Sequence, residues 1–135
     1  MNWTGLLKTE AANAFTTTEK LLGKVEAGSL GWKPGSGENW MTAGQLLMHL
    51  SGGCGAGCRA FLTGDWGLPE GVKVEDLTPE EMLPPAEKLP AIDSVEAAKN
   101  RLAEDRELTI RMIDQAGEET LATKEMAAPW APDVV

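Results

Sequence analysis

Apolar residues recur every three or four positions between residues 3 and 27. The series is Trp3, Leu7, Ala11, Ala14, Thr18, Leu21, Leu22 and Val25, with Lys8, Glu10, Glu19 and Lys20 between them. This spacing lines one side of a helix and predicts a first long helix stopped at Gly28. A second helix opens at Thr42. Thr42-Ala-Gly-Gln45 matches the capping box, in which the threonine oxygen takes a free amide and the glutamine reaches back. That helix is expected to run to about Leu62, with Gly64 ending it. A third begins at Asp93 or Ser94, with Glu96 as a capping-box partner for Asp93. Its stripe is Val95, Ala98, Leu102, Thr109, Met112, Ile113 and Ala116, and Gly117 is its stop. Nothing alternates with period two over a useful length, so no sheet is expected and the fold class is all-α.

The segments between the helices carry their own signals. Residues 28–40 are rich in glycine and read as a loop, whose Trp32 and Trp40 are expected to dock on a core or pocket edge. Residues 64–92 contain Pro69, Pro79, Pro84, Pro85 and Pro90 and form a long connection, either a functional covering or a crossover strap. One helical turn is expected there at Thr78-Pro79-Glu80-Glu81, a cap followed by proline at the first helical position. The final stretch, "EETLATKEMAAPWAPDVV", reads as irregular and finishes on two exposed valines. Three amphipathic helices and a crossover make a bundle that is one member short. The missing member is another chain or a fourth helix beyond Val135, and the second is the expectation adopted.

Composition narrows the functional classes. A chain of 135 residues suits a single domain, 1–135, with one modest core. The net charge of −9 argues against a basic face for nucleic acid, so small molecules are the expected partners. There is neither a secretory pattern nor an apolar run of membrane length, and two cysteines four apart are no disulfide framework. A cytoplasmic location follows as the expectation.

The chemistry concentrates in residues 44–58, "GQLLMHLSGGCGAGC", which hold the single histidine and both cysteines. On one continuous helix, at about 100° per residue, His49 heads a stripe of small residues with Gly53, Ala56, Gly57 and Ala60. Leu46 and Leu50 mark that side as the buried one. Cys54 and Cys58 fall on the other side, away from His49. Two thiols are half a zinc site and no second pair exists, so both read as semi-buried packing residues. Their side-chain vectors suit a disulfide poorly. His49 is either a hydrogen-bonded core residue or a metal ligand. The glycines at 52, 53, 55 and 57 reflect either close helix packing or a cavity below the imidazole.

Residues 32–50, "WKPG…NWMTAGQLLMHL", resemble the start of the DinB-like (DinB/YfiT) superfamily, and "AFLTGDW", residues 60–66, is similar to that family's end of helix two. The resemblance implies an up-down-down-up four-helix bundle, often a homodimer. It also implies a divalent metal (zinc, nickel or manganese) held by one histidine of helix two and a His-x-x-x-His of helix four. By position His49 matches the first ligand. The chain has no other histidine, so the pair is expected beyond Val135. The activity implied is that of a metal-dependent enzyme, a thiol-dependent transferase or hydrolase acting on a small molecule, with a low-molecular-weight thiol as co-substrate. Trp40 and Trp66 would bracket helix two. The competing expectation is a non-catalytic helical module for dimerisation or interaction, with His49 in its core.

Overall fold

In the computed structural model, which describes residues 2–129, one long helix holds the others. The helices are α1 (Trp3–Leu22), α2 (Ala43–Leu50), α3 (Cys54–Thr63), α4 (Pro79–Met82) and α5 (Val95–Thr123). No β-strand element occurs among the described residues, so the all-α class holds there. α1 and α3 pack along α5, and α2 touches it more lightly. Phe15, Leu22, Leu47, Ala98 and Leu102 form the buried core, with Ala11, Val25, Leu30, Ile92 and Val95 packed around it.

Contacts at the helix ends fix the chain directions. Glu118, late in α5, meets the first amides of α1, and Lys8 pairs with Asp114, so α1 runs antiparallel to α5. Asp105 meets the first amides of α3, while Lys124 reaches the carbonyls of Phe61 and Leu62, so α3 runs parallel to α5. Helices that neighbour each other in parallel need a long crossover, and residues 64–94 supply it. That connection is a strap tied to α2. The Gln45 side-chain amide donates to the carbonyls of Ala86 (2.6 Å) and Leu89 (2.8 Å), and the Ile92 amide donates to Gly44 (3.1 Å). Both short-range caps expected from sequence form: Thr42 with Gln45, and Thr78 with Glu81 behind Pro79.

Several boundaries differ from the sequence reading. α1 stops at Leu22 rather than at Gly28. The amides of Lys24 and Val25 turn to carbonyls only three residues back, which tightens and ends the helix before a 3-10 turn at Ala27–Ser29. Its apolar stripe is also split: Phe15 and Leu22 are buried, while Leu7 and Leu21 stay exposed on the open edge. α5 is capped by Ser94 through the Ala97 amide rather than by a box at Asp93. Gly117 does leave the helical conformation, at φ 70° and ψ 171°, a region open essentially to glycine alone. The chain nevertheless resumes helix to Thr123, so the irregular segment begins later than its composition suggests. Trp32 and Trp40 are exposed rather than docked; the Trp40 indole donates to the Ser36 carbonyl at 2.7 Å, folding over its own loop. The terminal valines lie outside the described residues.

Candidate functional site

Helix two is not continuous. It breaks at Ser51–Gly53 into α2 and α3, and the cause is a carboxylate from α5. In an unbroken helix the amides of Cys54 and Gly55 would bond to the carbonyls of Leu50 and Ser51. Instead Cys54 donates to Asp105 Oδ2 (3.1 Å) and Gly55 to Asp105 Oδ1 (2.9 Å). Asp105 is 5% exposed, and Thr109 Oγ1 donates to its carbonyl, so the cap is held inside the helix pair. A side chain at Gly55 would meet Asp105 O at 2.8 Å and Leu108 Cβ at 2.9 Å, so glycine there permits the close approach of α3 to α5. Of the two explanations for the glycine run, close packing therefore applies at Gly55. Gly57 has open space above it.

Within α2 itself the inward side is not the one that carries His49. The inward direction of α2 is set by Gly44 and Leu47, followed by the fully buried Ser51 at its C-cap. His49 is exposed, and so are Leu46 (43%) and Leu50 (48%), which a continuous wheel would bury beside it. The three lie within about 100° of one another on the outer side of α2. His49 lines a shallow cleft of about 230 Å³ with Gln45, Met48, Leu89 and Pro90, and the charged group in that cleft is the Arg101 guanidinium. A Cβ at Gly52 would stand 2.7 Å from that guanidinium, a contact the flexible Arg101 side chain can relieve by moving.

Cys54 and Cys58 line a different cavity, so the separation of thiols from imidazole holds although its geometric basis changes. Their groove, about 440 Å³, runs between α1, α3 and α5, with Leu7, Phe61, Met112 and Leu121 among its walls. Burial first, then the neighbouring Cys54 and the Asp105 charge, push the Cys58 thiol up to about 11. It is therefore neutral and a poor nucleophile near neutrality. Phe61 also meets Trp66 edge-on, with ring centroids 5.3 Å apart, which gives Trp66 a packing role at the end of α3.

Among the described residues no group of three or more His, Cys, Asp or Glu side chains could hold a metal ion. No helix among them is long and apolar enough to cross a membrane. Compared with protein-family models, characterised proteins and solved structures, the chain matches none. Sequence reasoning missed Asp105, although the buried series 98, 102, 105, 109, 113 places it inside the apolar stripe of α5. A charged residue at such a position signals a buried cap or pair. It also missed Arg101 and Glu118, for which no spacing rule offered a signal.

Proposed function

We propose that the chain is a metal-dependent enzyme of the DinB-like class, a thiol-dependent transferase or hydrolase acting on a small molecule, with His49 as one ligand of a zinc, nickel or manganese ion. The observation that carries this reading is the order of helix directions. α1 runs one way, and α3 and α5 run the other across a long crossover, an order that fits the first three-quarters of an up-down-down-up bundle. Further support is the outer face of α2, where Leu46, His49 and Leu50 are left exposed by the described residues. A helix laid there would shield the leucines and bring its own donors to the imidazole. Residues 2–129 do not themselves fit a divalent metal. One imidazole is too few ligands, and the charged group that shares its cleft, Arg101, is a cation. The remaining ligands would come from sequence beyond Val135 or from a second copy in a homodimer.

Elemental analysis of the intact protein tests the reading. The expected result is about one divalent metal per protein, lost in His49→Ala. Folded protein that stays metal-free after incubation with zinc and nickel salts would overturn it. The exposed leucines favour one second reading, a non-catalytic module whose α2 face binds another helix. In that case His49→Ala leaves metal content unchanged, and Leu46→Glu dissociates the assembly in sedimentation.

A further inference from the structure

The groove between α1, α3 and α5 is walled by four sulfur-bearing side chains: Cys54 and Cys58 from α3, Met112 from α5, and Met126 just beyond α5. These are four of the 8 sulfur residues in the chain (Cys 2, Met 6), gathered in one cavity. The rest of the lining is almost wholly apolar; among the described residues Lys124 supplies its one charged side chain. No carboxylate or imidazole of the described residues lines it, so hard cations find no preferred donors and zinc finds only two of the four ligands of a structural site. Thiolate and thioether donors together in an apolar site are the set that selects monovalent copper.

The backbone suits such a site. Cys54 and Cys58 are one turn apart on α3, which puts their Cβ atoms about 5–6 Å from each other, and both line the same groove. Cys54 is exposed, which leaves an entry path, while Cys58 is half-buried. Gly57 lies between them on the groove wall with nothing within 4 Å of where its Cβ would be, so the space beside the sulfurs is open.

We propose that this groove is a Cu(I) site, with Cys54 and Cys58 as thiolate ligands and Met112 or Met126 supplying a thioether. Binding forms two copper–sulfur bonds to the cysteines and releases both thiol protons to solvent, with no change in oxidation state. Because both thiols must lose their protons to bind, copper competes with protons and affinity rises with pH. The site is separate from His49, which lines another cleft, and it stands or falls independently of the enzyme reading.

An anaerobic titration of the full chain with Cu(I) against a chromophoric Cu(I) chelator tests this. The expected result is one copper per chain, a thiolate-to-copper absorption band in the near ultraviolet, and tighter binding at pH 8 than at pH 6. Cys54→Ser and Cys58→Ser should each weaken binding at least about 100-fold, and one of Met112→Leu and Met126→Leu about tenfold, whereas His49→Ala should leave it unchanged. Helical circular dichroism of the serine variants confirms that they fold. If one of them unfolds, extended X-ray absorption on the unaltered protein must still show copper surrounded by sulfur alone. The proposal is overturned if the chelator keeps all the copper, if the cysteine variants bind as tightly as the parent, or if copper appears only bridged between two chains.

Discussion

Two carboxylates of α5 cap the N-termini of two other helices, and they work in opposite settings. Asp105 is buried and takes the amides of Cys54 and Gly55 at the start of α3. Glu118 is fully exposed and takes the amides of Trp3 (2.8 Å) and Thr4 (2.7 Å) at the start of α1. In both, negative charge meets the positive end of a helix dipole, and two otherwise unpaired donors are satisfied. At Asp105 no water can replace the lost partner, so the bonds decide where helix two breaks. At Glu118 water stands ready, and Asn2 also caps α1 through the Gly5 amide. The same chemistry therefore shapes the chain in one place and trims an end in the other.

The largest test of this contrast is Asp105→Ala. It strands the buried amide of Gly55 and the part-buried amide of Cys54, and is expected to cost about 3 kcal/mol in denaturant unfolding. Asp105→Asn keeps an acceptor and should lose about half of that. An alanine cost below about 1 kcal/mol would place the cause of the break in the Gly52–Gly53 pair instead. Next in size is Gly55→Ala. Its methyl group would have to displace the Asp105 backbone and Leu108, for an expected loss of about 2 kcal/mol by the same measurement.

The smallest effect belongs to Glu118→Gln, and its signature is pH dependence. Hydrogen bonds from Thr4 and Trp3 lower the Glu118 pKa from its ordinary 4.5, the Thr4 side chain foremost. A depressed carboxyl stabilises the fold above its unfolded value and loses that contribution as pH falls through its folded value. Thermal melts should therefore show a small deficit for Glu118→Gln at pH 7 that closes as both proteins are acidified toward pH 3. High salt should shrink the deficit at Glu118, whereas that of Asp105→Ala should persist. Equal salt sensitivity at both positions would dissolve the distinction between them.

These caps also mark where the sequence was legible. Local devices were readable because their partners lie within three residues: the box at Thr42, the cap at Thr78 with the proline at 79, and the stop at Gly64. The all-α class and the positions of the long helices followed from periodicity. The break at Ser51–Gly53 was not readable, because its cause stands fifty residues away and no local rule points to Asp105. The stripe of small residues drawn from His49 to Ala60 inherited that gap, whereas the inward side of α2 was misassigned within the unbroken helix. His49, Leu46 and Leu50 turn inward in that reading, whereas Leu47 and Ser51 occupy that direction in the fold. The separation of His49 from the cysteines survived because the two stretches face different cavities on either account. The tryptophans failed for another reason. Ring size argues for burial, but in a glycine-rich loop Trp40 satisfies its indole on its own backbone.

The position of α5 in the chain has a consequence for how the molecule is made. α5 follows every helix it holds, and its partners on α1 lie more than a hundred residues upstream. A growing chain must therefore extend well past Ser94 before α1 and α3 meet the helix they mainly pack against. Until then the leucines of α1 and the groove face of α3 remain open to solvent and to one another. Contacts of such sequence separation also slow folding relative to bundles built from adjacent hairpins. The nascent chain is accordingly most exposed to aggregation and to chaperones just before α5 is complete.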